Sequence, residues 1–292
     1  MRELKGPVFW LAAAVAVLAS LFHLWTGGFG FFEPREQRSI HLLILLPLAF
    51  ILYPATESSP RDRPSVVDWV LSVLAVLPSF YSFSCANGGR YCSSIINLRF
   101  ETVDPVSTVE LVLGVVAIVL VIEALRRAVT PVLAGLVATG ILYLFVTEYM
   151  PGILHFRDIP ATQIVETMYL FNSNGIYGSI TGISATMVAM FIIFGAFIEG
   201  SGVGMLFHNL GMKVAGRQAG GPAKVEVVSS AMFGTISGSS VANVFAPGSF
   251  TIPAMIKLGY RRQFAAGVEA ASSVGGQIMP PVMGAVAFIM AE

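Results

Sequence analysis

Thirty consecutive residues without a charge, Val227 to Ile256 between Glu226 and Lys257, fit no ordinary membrane element. A spanning helix needs about 20 apolar residues. This stretch is too long for one helix and too short for two plus a turn. Its centre, Thr235-Ile-Ser-Gly-Ser-Ser-Val-Ala-Asn243, is dense in small polar groups. A re-entrant helical hairpin, entering and leaving by one face, satisfies both constraints. Irregular backbone at membrane depth is tolerated only where protein or a water-filled cavity solvates it, so such a hairpin marks a place where ions or solutes are held.

Hydrophobic residues at 55%, charged residues at 12% and a mean hydropathy of +0.77 exclude a soluble globule and predict an all-α polytopic membrane protein. The formal charge is zero and there is no long basic run, which argues against a nucleic-acid partner. The first partner is the lipid bilayer. The opening run, Gly6 to Phe32, follows Arg2 and Lys5 as a secretory signal would, but its length and its Trp10, His23 and Trp25 predict a retained span. Cys85 and Cys92 admit two readings, a disulfide in an oxidising compartment or two free thiols.

Charge-free windows at Val8 to Thr26, Ser39 to Thr56, Trp69 to Ser84, Leu111 to Ile122 with its flanks, Ala128 to Thr147 and Ile180 to Ile198 predict six spanning helices. Ala270 to Ala291 adds a last, broken one, giving about seven spans with the hairpin at about 225–256 between them. Lys and Arg set the orientation. With the N-terminus cytoplasmic and a returning hairpin, Arg2, Lys5, Arg61, Arg63, Arg126, Arg127, Lys213, Arg217, Lys224, Lys257, Arg261 and Arg262 fall inside. Arg35, Arg38, Arg90, Arg99 and Arg157 fall outside, a division of twelve to five in the direction of the positive-inside rule. A hairpin region that crossed once would carry Lys257, Arg261 and Arg262 outside and leave nine against eight.

Composition separates residues 1–128, four plain hydrophobic helices that read as scaffold, from residues 129–292, where Gly, Ser, Thr and Pro multiply. The link from Ile159 to Phe171 places Ile164, Met168 and Phe171 opposite Gln163 and Glu166, which fits an interfacial helix and ordinary loop packing equally. Glu199 and Glu269 read as anchors at the cytoplasmic interface.

Ligand chemistry concentrates at two breaks. At the hairpin tip, Thr235, Ser237, Gly238, Ser239, Ser240 and Asn243 offer hydroxyls, a carboxamide and free carbonyls, as a small hard cation requires. Two half-helices meeting there would aim their dipoles at a bound carboxylate and cation. Small residues that merely permit close packing are the structural alternative. The second break, Gly275-Gly276-Gln277-Ile-Met-Pro280-Pro281, loses two amide donors to consecutive prolines, which fits either a ligand-bearing unwound turn or a simple kink. His23, His41, His155 and His208 lack metal-ligand spacing, so neither a metal site beyond that small-cation site nor a cofactor is expected.

Five strings, Phe194-Gly-Ala-Phe-Ile-Glu, Gly220-Gly-Pro-Ala-Lys-Val, Gly234-Thr-Ile-Ser-Gly-Ser-Ser-Val-Ala-Asn-Val, Phe250-Thr-Ile-Pro and Gly275-Gly-Gln-Ile-Met-Pro-Pro-Val-Met-Gly284, resemble the fused permease subunit of tripartite ATP-independent periplasmic (TRAP) transporters. The likeness is to the branch served by TAXI-type binding proteins, specific from about Gly195 to Glu292 and architectural upstream, where four helices look like the small permease subunit. It implies a bacterial inner-membrane secondary importer of small organic acids, elevator-like, coupled to Na+ and fed by a periplasmic substrate-binding protein. By motif, Ser237, Gly238, Ser239, Ser240 and Asn243 would border a sodium and substrate site, facing an unwound segment of Gly276, Gln277, Pro280 and Pro281. The family's large, DctM-like subunit is an inverted repeat with two hairpins, and only its first half is recognisable. The resemblance therefore implies a fragment with a missing C-terminal half.

Two other classes compete. An intramembrane serine hydrolase needs a base within reach of its serine; His208 falls in a stretch expected as a cytoplasmic loop and the other histidines lie in or near distant helices, so an enzyme is not expected. A non-transporting assembly module for the second half is the other.

Overall fold

The computed structural model describes residues 2–290 except 57, 58, 90, 91, 93, 94, 101, 153, 154, 157, 158, 239, 246, 281, 285, 286, 288 and 289, with the side chains of 199, 241, 242 and 245 also outside the description. Proline in the first turn, where its missing N–H leaves no bond unmade, starts α1 (Pro7–Phe29), α2 (Pro34–Leu52) and α5 (Pro131–Leu144). Reciprocal capping boxes start α3 (Val66–Cys85) and α4 (Thr108–Ala128): Ser65 with Asp68, and Ser107 with Glu110. A five-residue helix, α6 (Ala161–Val165), runs into a π turn at Glu166–Leu170, and α7 (Ser179–Ile183) into another at Ser184–Val188 before α8 (Ala189–Gly200). Every regular element among the described residues is helical.

Among the described residues, four helical runs are long and apolar enough to cross a membrane: Pro7–Phe29, Val66–Cys85, Thr108–Ala128 and Ser179–Ile198. The α2 helix is 19 residues long but begins five residues before its expected window and so takes in Arg35, Glu36 and Arg38. The α5 helix has 14 residues and stops at Leu144, short of the expected Thr147.

Packing divides the chain into two compact units, Met1–Ala185 and Thr186–Glu292. In the first, α2, α3 and α4 meet around Leu46, Phe50, Ala75 and Leu120. One end of this bundle is tied by Arg2, which donates to the carbonyls of Phe50 (3.2 Å) and Ile51 (2.9 Å) and pairs with Asp68 at 2.5 Å. Asp68 also takes Arg127, at 2.6 Å. At the opposite end Arg35 is buried, donating to Ser82 Oγ (2.7 Å) and to the carbonyls of Tyr169 (2.7 Å), Leu170 and Phe171 (both 3.2 Å). Its fork thereby closes the last turn of the π segment, where helix carbonyls lack partners.

The link from Ile159 onward resolves toward packing. Glu166 is buried and pairs with Arg99 at 3.2 Å, while Val165 and Tyr169 press so closely on Gly114 that a β-carbon there would collide. Tyr177, just before α7, donates to Ser79 Oγ at 3.1 Å; burial pushes its hydroxyl up to about 12, so it stays a donor. Cys85 and Cys92 are joined in a disulfide, Cα to Cα 5.4 Å, next to the core of Ile96, Ala117 and Tyr169. Of the two sequence readings, the disulfide is the one realised.

The second unit contains α8, α9 (Val203–Ala215), α10 (Gly221–Ser237), α11 (Ser240–Phe245), α12 (Gly248–Lys257) and α13 (Arg262–Val274). The α9 helix is a correction, since this stretch with His208 was expected as a loop. It packs lengthwise on α10, where Gly211 leaves room for the Ser229 hydroxyl that a β-carbon would approach to 2.5 Å. The last apolar segment is not a continuous span: α13 ends at Val274 and passes into a single 3-10 turn, Gly275–Gln277.

Candidate functional site

The hairpin geometry follows from Gly238. Its backbone is left-handed (φ 58°, ψ 6°), a conformation open to glycine without Cβ strain, and its N–H closes α10 on the carbonyl of Gly234. The chain then turns back, and α11 and α12 both pack on α10. The returning arm is two short helices where one half-helix was expected. Asn243 locks the arms: its Nδ2 donates to Ser230 O at 3.0 Å and Ser230 Oγ at 2.9 Å, and reaches Ser273 O on α13 at 3.4 Å.

The two breaks meet. Gly234 lies directly on the backbone of Gly276, so that a β-carbon on either would clash, with Gly276 Cα in one direction and with Asn243 Nδ2 at 2.7 Å in the other. Gln277 Nε2 donates to Ser240 Oγ at 3.1 Å, Val282 N to the carbonyl of Thr235 at 3.3 Å, and Gly284 N to the carbonyl of Gln277 at 2.7 Å. Gly238 presses on the Met283 carbonyl. The unwound turn is therefore held against the tip by backbone approach, which only glycine permits at Gly234, Gly238 and Gly276.

Of the sequence-derived site residues, Thr235, Gly238, Ser240, Asn243, Gly276 and Gln277 come together here. Thr235 turns its hydroxyl back to the Met232 carbonyl (2.6 Å) and offers its own carbonyl to the facing segment. Ser237 is half-buried in the last turn of α10. Gly275 opens the 3-10 turn with nothing near its α-carbon, and Pro280 is exposed. Ser239 and Pro281 lie outside the described residues. Asn243 is fully buried, and its Oδ1 accepts no hydrogen bond.

Sequence reasoning passed over a polar layer below the tip. Glu269, expected as an interfacial anchor, is 2% exposed; it accepts Thr251 Oγ1 and Ser273 Oγ, both at 3.1 Å. Glu226, fully buried, accepts Ser272 Oγ at 3.0 Å. The signal was available: Glu226 precedes Ser230, and Glu269 precedes Ser273, by four residues, which puts each pair on one helix face. The side chain of Glu199, the other expected anchor, lies outside the description. No group of three His, Cys, Asp or Glu side chains suited to a metal ion occurs among the described residues.

Residues 116–292, more than half of the chain, match the family model described as tripartite ATP-independent periplasmic transporter, DctM component. The C4-dicarboxylate TRAP transporter large permease protein of Rhodobacter capsulatus is 37% identical over 94 residues, covering 32% of this chain and 21% of the relative. The isethionate TRAP transporter permease protein of Oleidesulfovibrio alaskensis is 35% identical over 105 residues, covering 36% and 16%. A sialic acid TRAP transporter large permease protein of Vibrio cholerae is 28% identical over 121 residues, covering 39% and 28%. The chain thus spans less than a third of the length of each. No solved structure matches.

Proposed function

The chain belongs to the tripartite ATP-independent periplasmic transporter family as a DctM-like permease, a membrane protein and not an enzyme, and from that premise we propose that it binds and moves an organic anion at the junction of the hairpin tip and the Gly275–Gln277 turn. The observation that carries this reading is the convergence of two broken helices, with Gly234 on Gly276 and Gln277 on Ser240. Broken helices meeting within a transporter are where irregular backbone carbonyls and hydroxyls become available to ions and solute. The names of the relatives, which specify C4-dicarboxylate, isethionate and sialic acid, support an organic acid as the solute class.

The finer reading has four parts. Sodium is the coupling ion, taken by tip oxygens from Thr235, Ser237, Gly238, Ser240 and Asn243. The hairpin unit moves as an elevator against the scaffold. A periplasmic binding protein of the TAXI type delivers the solute. The protein lies in the bacterial inner membrane with its N-terminus in the cytoplasm. The Cys85–Cys92 disulfide supports that orientation, because disulfides persist in an oxidising compartment and this one sits at the end of α3 that charge assigns to the periplasm.

The test is uptake of a labelled C4-dicarboxylate into proteoliposomes that carry the permease and its binding protein. Accumulation should require an inward sodium gradient. Sodium-independent uptake would remove the coupling ion, and failure with every organic acid tried would remove the solute class.

A further inference from the structure

Glu226 on α10 and Glu269 on α13 meet at one stretch of α13, where Ser272 Oγ stands 3.0 Å from Glu226 Oε1 and 3.1 Å from the Glu269 carbonyl, and both acids are shut off from solvent. Three of their four carboxyl oxygens each accept one hydroxyl: Ser272 on Glu226 Oε1, Ser273 on Glu269 Oε1 and Thr251 on Glu269 Oε2. The fourth, Glu226 Oε2, accepts nothing. From α12, Gly248 closes the remaining side so tightly that a β-carbon would stand 2.7 Å from the Glu269 carboxyl carbon. Among the described residues no cationic side chain balances the pair. Lys213, Arg217, Lys224, Lys257, Arg261 and Arg262, the basic residues of this unit, are exposed, and none forms an ion pair with either acid among the described residues. The histidine of α9, His208, is half-buried beside the Phe250 ring.

Two ionised carboxylates in one layer, removed from water and without a counter-charge, repel strongly, whereas one proton between them replaces that repulsion with a charge-assisted hydrogen bond. We propose that Glu226 and Glu269 share a single proton, taken from water, and form a proton site separate from the tip. A proton on Glu226 Oε2 makes the unsatisfied acceptor a donor, with the neighbouring carboxylate as its acceptor.

The position gives the site its consequence. Ser230 and Ser273, one turn further along the same two helix faces, are the groups through which Asn243 ties the hairpin arms to α13. Release of the proton charges the layer directly beneath that tie and pushes α10 from α13. Proton exchange and opening of the hairpin are therefore linked, whatever solute the tip accepts.

Infrared spectroscopy of the full chain in lipid nanodiscs reads the proton directly. At neutral pH, in potassium and in sodium buffers alike, a carboxylic-acid C=O band should be present. It should be lost in Glu269→Gln and in Glu226→Gln, and shifted but retained in Thr251→Val, which keeps both acids and removes one donor. Absence of the band from the unmodified chain, or its persistence unchanged in both Gln variants, overturns the proposal. A band present in potassium and lost in sodium assigns the pair to sodium and overturns it equally.

Discussion

Three glycines at the two breaks, one on α10 and two in the 3-10 turn, face different surroundings, and this makes the contact between the breaks measurable. Alanine at Gly234 meets the Gly276 backbone, and alanine at Gly276 meets the Asn243 amide at 2.7 Å, while alanine at Gly275 meets nothing within 4 Å. Overpacking a tight contact costs about 1–3 kcal/mol, so Gly234→Ala and Gly276→Ala should each lower the unfolding midpoint of the detergent-solubilised chain by several degrees. Gly275→Ala, on a right-handed helical backbone, should leave the midpoint unchanged or raise it slightly. Equal behaviour of all three would mean that α10 and the 3-10 turn do not touch. Arg35 shows the same dependence on environment. Its sequence position at the start of a helix gives no hint that it will be buried, because its partners are the Ser82 hydroxyl 47 residues away and carbonyls 134 to 136 residues away.

Among the elements, the hairpin arms are joined by the Asn243 carboxamide and by the packing of α11 and α12 on α10. Asn243→Ala removes the bonds to Ser230 and leaves buried acceptors unpaired, a loss of about 1–3 kcal/mol. Amide hydrogen exchange in α11 and α12 should accelerate about tenfold or more, with little change in α3 and α4. Uniform acceleration would place Asn243 in the global core instead of the hairpin lock. The turn-back at Gly238 was legible because a charge-free stretch of anomalous length broken by that glycine has few alternatives. The helices α1, α3 and α4 were legible because long apolar runs meet few competing structures. The α9 helix was not: residues Val203–Ala215 mix Gly204, His208, Asn209, Gly211 and Lys213 into a pattern whose apolar stripe gains meaning only from the α10 face it covers. Glu269 was misplaced for a related reason. A carboxylate near the end of an apolar run reads as interfacial until Thr251 and Gly248, from a different helix, are seen to enclose it. Sequence spacing reports faces, and partners come from the fold.

For the whole molecule, the proposed topology requires that Lys224 and Lys257 face the same side of the bilayer. The 17 residues of α10 extend roughly 25 Å at 1.5 Å per residue, less than the roughly 30 Å hydrocarbon thickness, and its end is turned back by Gly238. The return through α11 and α12 covers a similar number of residues and ends with Lys257. Charge argues in the same direction, because a single crossing would shrink the excess of Lys and Arg on the inner side to nine against eight. The test begins with a Cys85→Ser, Cys92→Ser background, which removes the disulfide, and introduces one cysteine at a time. Cysteines replacing Lys224 and Lys257 should react with a membrane-impermeant maleimide in inverted vesicles and remain unlabelled in right-side-out ones. A cysteine replacing Asn87, in the loop the native disulfide closes, should show the reverse pattern. Labelling of Lys224 and Lys257 positions from opposite faces would make the segment an ordinary crossing, and the Gly234–Gly276 contact would then be a packing seam within a bundle, with no route for solute to its oxygens.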